Sequence, residues 1–349
     1  MLSVPRAHRA ARGGPGGARD LGQAGRGTFD ARRTPAPLTV GARWASVAAP
    51  APEPNPVSAP RKAPYPLAGR VDAAHTTIVR FPDTEVTIGG NRVTVIAGPC
   101  SVEGYDMLRD VASAVKASGA ALLRGGAFKP RTSPYTFSGL GVDALEMLAT
   151  VRAETGLPVV TEVIDTRLVD TVAMYADVLQ IGARNMHNYA LLSEVGRLRK
   201  PILLKRGFAA TIAETVMAAE HIMTQGNTDV ILCERGIRSF DTATRNTFDV
   251  AAVPVLRKET HLPVFVDPSH AAGRTDIVAA LSYAAIAAGA DGLIIEVHPQ
   301  PASALSDADQ SLSTSEFDAL MRGLAPFVAA SGRTLVAPTT GATHPGVAP

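Results

Sequence analysis

The chain has 349 residues, a formal net charge of +2 and a hydrophobic fraction of 46%. This length accommodates one large α/β barrel or two ordinary domains, and the apolar content suffices for a sizeable core. No uncharged apolar run approaches the roughly 18 residues of a membrane span, so no membrane association is expected. Two cysteines, Cys100 and Cys233, do not make a disulfide framework, and we expect them to stay reduced in a cytoplasmic protein.

The charge is distributed unevenly along the chain. Residues 1–70 carry eleven Lys or Arg and three acidic residues, a local charge of +8, whereas residues 71–349 carry 23 basic and 29 acidic residues, a charge of −6. An acidic body argues against nucleic-acid binding, because such domains present a basic surface to the phosphates. Basic residues of the body therefore matter only where they are locally concentrated.

The first 65 residues form a segment rich in Arg, Ala, Gly and Pro, without a sustained apolar period. Such a segment cannot bury enough surface to offset its ordering entropy, so residues 1–65 are predicted to be disordered. The composition is also compatible with a transit peptide or a misassigned start. Residues 336–349 are similarly predicted to be a disordered tail.

Residues 93–335 alternate short β-branched apolar runs with longer amphipathic segments. The predicted strands are Val93–Ala97, Ala121–Leu123, Pro158–Thr161, Val178–Ile181, Ile202–Lys205, Val230–Cys233, Val264–Asp267 and Gly292–Glu296. The predicted helices are Asp106–Ser118, Asp143–Thr155, Thr166–Tyr175, Tyr189–Arg199, Thr211–Thr224, Phe248–Thr260, Thr275–Ala288 and Phe317–Ala330. Eight strand–helix units with continuously apolar strands predict a parallel (β/α)8 TIM barrel.

A doubly wound open sheet is the alternative fold, but no G-x-G-x-x-G sequence follows the first strand. Residues 66–92 precede the barrel, and within them Thr76–Ile88 is predicted to form a hairpin that caps its bottom. The whole chain is thus expected to be a capped barrel between two disordered ends.

Every predicted strand is followed by charged or metal-liganding residues, which in seven of the eight exits stand beside a Gly or Pro, whereas the strand entrances are short turns. The exits read GPCS, RGGAFKPRTS, TEV, GARN, KRG, ERG, DPSH and EVHP. In a TIM barrel these exits converge on the face that carries the active site. The asymmetry between exits and entrances therefore predicts an enzyme.

Six cations follow the strands, namely Arg124, Lys129, Arg131, Arg184, Lys205 and Arg235. Cations gathered around one mouth repel one another unless anions lie between them. Glu162 and Glu234 are expected to compensate part of this charge, and phosphorylated or carboxylated small molecules to compensate the rest.

A second set of exit residues offers a thiol, an imidazole and two carboxylates: Cys100, His270, Glu296 and Asp307. These ligands suit one divalent transition metal ion (Mn²⁺, Fe²⁺, Co²⁺ or Zn²⁺), whereas Mg²⁺ or Ca²⁺ would not require a thiolate. His298 competes with His270 as the imidazole ligand. Cys100 could instead be a buried core thiol or a nucleophile.

The body, from about Tyr65 to Leu312, resembles 3-deoxy-D-arabino-heptulosonate-7-phosphate (DAHP) synthases, and more narrowly their type I-beta branch. The resemblance rests on IAGPCSVE, LRGGAFKPRTSPYTFSGLG, TEV, QIGARNMHN, KRG, ERGIR, VDPSHAAGR, EVHP and ALSDADQSL. It implies condensation of phosphoenolpyruvate with erythrose 4-phosphate, the entry step of the shikimate pathway to aromatic amino acids. The related octulosonate-phosphate synthases carry an Asn-containing loop in place of Lys129–Ser133.

The resemblance also assigns roles by position. Cys100, His270, Glu296 and Asp307 would ligate the metal. For phosphoenolpyruvate, the carboxylate would contact Arg124, Lys129 and Lys205, and the phosphate would contact Arg184 and Arg235. The erythrose phosphate would contact Arg131, Thr132 and Ser133. Lys129, Glu162 and His298 remain candidates for the catalytic proton transfers.

Several alternatives and partners accompany this prediction. The chain could condense phosphoenolpyruvate with arabinose 5-phosphate, or be a catalytically inactive barrel that binds a metabolite. Relatives form dimers or tetramers, so a homodimer or homotetramer is expected by analogy. Residues 1–65 lack the pattern of a regulatory or chorismate mutase domain. Direct feedback inhibition by Phe or Tyr is therefore not expected, although a separate chorismate mutase could still act as a partner.

Overall fold

A computed structural model of the chain describes residues 64–82, 84–130 and 135–338. The predicted disordered ends lie outside these ranges, except for their innermost residues. Two of these, Tyr65 and Val336, are buried, with 6% and 2% of their surfaces exposed. The packed body therefore extends slightly beyond the boundaries placed from composition, because single apolar side chains at the edge of a polar segment leave no periodic signal.

A two-stranded hairpin precedes the barrel, as predicted. Strand β1 (Val79–Arg80) pairs antiparallel with β2 (Thr87–Ile88), and Val79 lies opposite Ile88. Both residues are fully buried and belong to the same apolar cluster as the side chains that fill the barrel interior, such as Phe265 and Ile294. The hairpin thus closes the end of the barrel opposite to the strand exits.

The barrel itself has eight parallel strands. They are β3 (Arg92–Gly98), β4 (Leu122–Arg124), β5 (Val159–Glu162), β6 (Val178–Ile181), β7 (Ile202–Lys205), β8 (Val230–Glu234), β9 (Val264–Val266) and β10 (Gly292–Glu296). Each strand pairs with the next, and β10 returns to pair with β3, with Leu293 opposite Val95. This closure confirms the predicted (β/α)8 barrel and excludes the open sheet.

The helices surround the strands. They are α1 (Tyr105–Ala117), α2 (Val142–Thr155), α3 (Val169–Tyr175), α4 (Tyr189–Gly196), α5 (Ile212–Met223), α6 (Ala252–Glu259), α7 (Pro268–Ala272), α8 (Val278–Ala287) and α9 (Thr314–Ala330). Two of them begin with a capping box, formed by Thr211 and Glu214 in α5 and by Ser313 and Glu316 in α9. Among the described helices, none has the combination of length and apolar composition that crossing a membrane requires.

Two elements were not predicted. Helix α7 has five residues and begins after Asp267, whose carboxylate accepts the backbone N–H of His270, with Pro268 in the first turn. Strand β11 (Thr334–Leu335) pairs with β3 outside the barrel closure. Both are too short to show a hydrophobic period, so only their tertiary contacts reveal them.

The strands are buried on both faces. Inward-facing residues such as Ile96, Leu203 and Phe265 pack with the hairpin, and outward-facing residues such as Val95 and Leu204 pack against the helices. This double burial explains why the strands are continuously apolar rather than alternating. Polar residues appear only where the strands end, and they lie together at one mouth.

Candidate active site

A cavity of about 320 Å³ opens at the mouth formed by the strand exits. Its lining includes nearly all the described residues that were predicted to contact substrate or to exchange protons, namely Arg124, Lys129, Glu162, Arg184, Lys205 and Arg235. His270 and Asp307 reach the same cavity. The remaining predicted substrate contacts, Arg131, Thr132 and Ser133, lie outside the described residues.

Three of the four predicted metal ligands lie together. One ligand atom each from Cys100, Glu296 and Asp307 falls within 4.8 Å of the others. The fourth, His270, has Nε2 at 3.5 Å from Oε1 of Glu296. A thiol, two carboxylates and an imidazole from the exits of three strands, β3, β9 and β10, therefore converge, and this donor set suits a borderline divalent ion.

His270 is oriented by a buried carboxylate. Its Nδ1 lies 2.7 Å from Oδ2 of Asp267, which is fully buried. A carboxylate beside Nδ1 places the ring proton on that nitrogen and leaves the Nε2 lone pair facing Glu296, as in many metal-binding histidines. Burial lowers the pKa of His270, which favours the neutral imidazole that a metal ion requires.

The two carboxylates are held in the ionised state. Burial alone would raise the pKa of Glu296, but His270 and Arg124 outweigh it and the pKa falls to about 2. The pKa of Asp307 is also lowered, because the Cys100 thiol hydrogen bond and nearby cations outweigh burial. In contrast, burial and Glu296 raise the pKa of Cys100 to about 12. Without a cation the site therefore holds a thiol, and a metal ion must displace its proton.

Asp307 adopts an unusual backbone conformation. Its φ of 51° is the only positive φ of a non-glycine residue in the described part of the chain. Such a conformation costs about 1–3 kcal/mol and persists where the surroundings enforce it, often at functional sites. Here the Sγ of Cys100 donates to Oδ2 of Asp307 at 2.8 Å.

Three of the predicted substrate cations contact acidic or thiol groups. Arg124 donates to Oε1 of Glu296 at 2.7 Å, and Lys205 donates to Oδ2 of Asp267 at 2.5 Å. Lys129 lies beside Cys100, with Nζ at 2.7 Å from Sγ. These contacts explain how several cations coexist at one mouth, since buried opposite charges neutralise two of them.

Arg184 and Arg235 differ from these cations, because neither pairs with a carboxylate within the described ranges. Both lie over the ring of Phe208, with guanidinium carbons 5.5 Å and 4.7 Å from its centroid, and Arg238 lies over the same ring at 5.1 Å. The quadrupole of an aromatic ring attracts cations. Arg235 also donates to the backbone carbonyl oxygens of Gly236 at 3.2 Å and of His270 at 3.4 Å. Phe208 thus holds two guanidinium groups that have no carboxylate partner in the described ranges and can still donate to an anion.

The acidic residues expected to compensate the cations differ in role. Glu162 lines the cavity and accepts the Gln180 amide at 3.2 Å. Glu234, in contrast, is fully buried beneath the cavity and pairs with Arg206 at 2.8 Å. Arg206 also pairs with Asp249 at 2.8 Å. Glu234 therefore pairs directly with Arg206 and not with a substrate cation, and its charge acts on the adjacent Arg235, where it opposes the lowering of the pKa that burial causes.

His298 lies outside the cavity lining. It is 4% exposed, its Nδ1 accepts the backbone N–H of Gln300 at 3.1 Å, and its Nε2 is 3.4 Å from Oε2 of Glu103. The candidate imidazole beside the metal donors is His270, not His298. The two cysteines are both free thiols.

Several site residues escaped sequence reasoning: Asp267, Gln180, Arg206, Phe208, Arg245 and Gln310. Asp267, Arg206 and Phe208 stand within or directly after the strand-exit motifs, so their positions alone could have drawn attention. Arg245 occurs in a long loop that no quoted motif covers, whereas Gln310 belongs to the ALSDADQSL motif, in which only Asp307 was given a role. Arg245 contacts Asp307, which lies 62 residues further along the chain. Gln310 contacts Glu296, a residue that the fold buries completely.

Comparison with known proteins places this site in context. The model of the DAHP synthetase I family matches residues 72–326. A phospho-2-dehydro-3-deoxyheptonate aldolase from Thermotoga maritima is 52% identical over 269 residues, which cover 77% of this chain and 79% of the relative. A 2-dehydro-3-deoxyphosphooctonate aldolase from Bradyrhizobium diazoefficiens is 34% identical over 266 residues, covering 69% of this chain and 94% of the relative.

Solved structures agree with these similarities. The crystal structure of the Thermotoga maritima phospho-2-dehydro-3-deoxyheptonate aldolase (DAHP synthase) superimposes with a TM-score of 0.75 at 50% identity, covering 78% of this chain and 79% of that one. A truncated form of 3-deoxy-D-arabino-heptulosonate 7-phosphate synthase from the same organism gives a TM-score of 0.73 at 47% identity, covering 78% and 99%.

Proposed function

The chain belongs to the DAHP synthetase I family, and we propose that it condenses phosphoenolpyruvate with D-erythrose 4-phosphate and water. The products are 3-deoxy-D-arabino-heptulosonate 7-phosphate and phosphate, and the reaction opens the shikimate pathway. The enzyme is a transferase that forms a carbon–carbon bond. One observation carries the proposal: a cation-lined cavity adjoins a thiol–carboxylate–imidazole cluster at one barrel mouth.

The cavity suits phosphoenolpyruvate in charge and in arrangement. Arg184 and Arg235, held by Phe208 and unpaired with carboxylates in the described ranges, would bind the phosphate. Arg124, Lys129 and Lys205 would bind the carboxylate, while their partners Glu296 and Asp267 keep them fixed. Guanidinium groups recognise phosphate oxygens well because they donate from a planar fork.

Cys100, His270, Glu296 and Asp307 would hold one divalent ion, Mn²⁺, Fe²⁺, Co²⁺ or Zn²⁺. When bound, such an ion would act as a Lewis acid toward the aldehyde oxygen of erythrose 4-phosphate. The protein would orient the aldehyde carbon toward C3 of phosphoenolpyruvate, since bond formation requires a defined approach of the two carbons. Arg131, Thr132 and Ser133 would bind the sugar phosphate.

Lys129 would deliver a proton to the developing alkoxide. Its Nζ lies 2.7 Å from Sγ of Cys100. Burial alone would lower the pKa of Lys129, but neighbouring negative charge, including that of Glu296, outweighs burial and raises the pKa, which keeps the ammonium charged. Water then adds to C2, and phosphate departs by cleavage of the C2–O bond. Arg184 and Arg235 would stabilise the departing phosphate, and Glu162, a carboxylate in the cavity lining, would accept the proton of the water.

Condensation with arabinose 5-phosphate is the second candidate, because octulosonate-phosphate aldolases are also relatives. Their identity of about one third contrasts with 52% for the heptonate aldolase, which favours the four-carbon aldose. The test is an assay of the purified full chain with phosphoenolpyruvate and either aldose, first with a chelator and then with each metal ion restored. Preference for arabinose 5-phosphate, or full activity in the chelator, would contradict the proposal.

The remaining expectations concern the assembly and location of the enzyme. We expect a homodimer or homotetramer in the cytoplasm. Light scattering of the purified chain measures the oligomeric state. A separate chorismate mutase is a candidate partner, and co-purification with such a protein would test it.

A further inference from the structure

We propose that Arg245 is a positioning residue for the metal donors, holding Asp307 directly and Glu296 through the side-chain amide of Gln310. The inference rests on the metal site proposed above. It concerns a residue between β8 and α6 that none of the strand-exit motifs contains.

The contacts form a continuous chain of hydrogen bonds. Nη1 of Arg245 donates to Oδ1 of Asp307 at 3.0 Å and to Oε1 of Gln310 at 2.7 Å. The amide nitrogen of Gln310 then donates to Oε2 of Glu296 at 2.6 Å. One guanidinium nitrogen therefore orients both carboxylates of the donor cluster.

The geometry at Asp307 shows why such an anchor is needed. The residue has a positive φ, a conformation that non-glycine residues seldom adopt without enforcement by their surroundings. Its Oδ1 accepts from Arg245, whereas its Oδ2 accepts from the thiol of Cys100. Arg245 thus fixes the carboxylate by one oxygen and leaves the other among the metal donors.

Gln310 is placed for the same purpose at Glu296. It is 2% exposed, and its side-chain oxygen and nitrogen are both used, the first by Arg245 and the second by Glu296. An amide that accepts on one side and donates on the other transmits orientation between two charged groups. Without Arg245, the amide would lose the contact that fixes which way it faces.

The backbone at Arg245 is itself fastened to the element that carries His270. The N–H groups of Arg245 and Asn246 donate to the carbonyl oxygens of Ala272 and Ala271, each at 3.0 Å. The Asn246 side chain donates to the carbonyl of His270 at 2.8 Å. The segment Arg245–Asn246 therefore contacts Asp307 and the backbone of His270 directly, and it contacts Glu296 through Gln310.

Close packing supports a specific position for this arginine. A Cβ atom on Gly273 would lie 2.3 Å from Cβ of Arg245, so only a glycine there admits the side chain in its present place. Arg245 also lines both the main cavity and a neighbouring cavity of about 410 Å³, and 41% of its side-chain surface is exposed. Because Arg245 lines the main cavity, its guanidinium could instead contact a substrate phosphate directly, and this is the competing explanation for its position.

The experiment measures Zn²⁺ affinity and steady-state kinetics of the full chain. Zn²⁺ dissociation constants are obtained by competition with a chelating dye for the wild type, Arg245→Ala, Arg245→Lys and Gln310→Met. We expect Zn²⁺ to bind about 10–100-fold more weakly to Arg245→Ala, the usual range for loss of an outer contact to a metal ligand. Arg245→Lys should recover part of the affinity, because an ammonium attracts Asp307 but lacks the planar fork.

A double-mutant cycle separates this role from others. The loss caused by Arg245→Ala should be smaller when Gln310 is already Met, because the two residues act on Glu296 through one chain of contacts. Arg322→Ala is the matched control, since Arg322 pairs with Asp318 on the exposed face of α9 and touches no site residue. Its Zn²⁺ affinity should equal that of the wild type.

The outcomes are distinct. A raised KM for either substrate with unchanged Zn²⁺ affinity in Arg245→Ala would overturn the positioning role and favour direct substrate contact. Failure of the wild type to bind Zn²⁺ would instead contradict the proposed metal site itself. If Arg245→Ala does not fold, unchanged Zn²⁺ affinity in Gln310→Met would also contradict the inference, because the proposed contact with Glu296 runs through the side-chain amide of Gln310.

Discussion

An oxygen of Glu162 occupies the space beside Gly182 that a side chain would need: a Cβ atom at residue 182 would lie 2.1 Å from Oε1 of Glu162. Gly182 has φ −67° and ψ 156°, values that alanine also adopts readily. Its glycine is therefore required by the close approach of the carboxylate and not by the backbone. A methyl group added at residue 182 would therefore displace the carboxylate of Glu162 while Glu162 itself remains a glutamate.

Gly182→Ala should reduce kcat by about 10–100-fold, since small misplacements of a reacting group have effects of this size. Stability should change little, because the far end of a glutamate side chain can shift. Gly104→Ala is the matched control, as nothing lies within 4 Å of its added methyl group. Adding Gly182→Ala to Glu162→Ala should cost no further activity; an additive loss would show that Gly182 acts independently of Glu162.

Cys100→Ala should abolish binding of the divalent ion and metal-dependent activity, while leaving the barrel folded. Its thiol lies among the carboxylates of the donor cluster. Cys233→Ala provides a control, because Cys233 is an equally buried free thiol that packs inside the barrel. Metal content after dialysis, with circular dichroism as the folding check, distinguishes the two. Retention of stoichiometric metal by Cys100→Ala would contradict the assignment.

Phe208→Ala should weaken binding of phosphoenolpyruvate by about 5–30-fold, in line with roughly 1–2 kcal/mol for partly desolvated cation–π contacts. The ring orients Arg184 and Arg235, so the loss should also appear for inorganic phosphate, which lacks the carboxylate. Phe240→Ala is the control, because Phe240 is 99% exposed. Calorimetric titration with phosphoenolpyruvate, phosphate and pyruvate tests this. An effect on pyruvate alone would assign Phe208 to the carboxylate end.

Arg206→Ala should destabilise the fold by about 3–5 kcal/mol, the usual cost of leaving a buried partner charge uncompensated. Arg206 is 5% exposed and pairs with Glu234, which is fully buried. Urea unfolding at pH 7 measures the change. Arg197→Ala, which removes an exposed pair with Glu194, should cost less than about 1 kcal/mol.

The free energy of unfolding of Arg206→Ala should depend on pH through Glu234. Burial raises the pKa of Glu234, and Arg206 opposes this shift, so loss of Arg206 should raise the pKa further. A carboxyl group with a raised pKa binds more protons when folded, so stability falls as pH rises from the unfolded value of about 4.3 through the folded pKa. Arg206→Ala should therefore regain stability on acidification toward that window. Arg206→Ala combined with Glu234→Gln should remove this dependence; its persistence would implicate another group.

Much of the barrel could be predicted because its signals are local. Val178–Ile181, Ile202–Lys205 and Gly292–Glu296 were placed with the observed bounds, since strands buried on both faces are continuously apolar and end in polar residues. Helix α7 and strand β11 escape prediction because five and two residues are too few for a hydrophobic period to repeat. Convergence of the strand exits followed from barrel geometry alone, which is why Cys100, Glu296 and Asp307 could be grouped in advance.

The sequence by itself determined the fold class, the mouth that carries the site and the chemical types gathered there, because these depend on periodicity and on the order of strand ends. Only the tertiary structure decided the pairing: Lys205 with Asp267, Glu234 with Arg206, and Arg245 with Asp307. It also placed His298 outside the cavity lining. Pairing depends on distances of a few ångströms between residues far apart in the chain, and no local pattern encodes such distances.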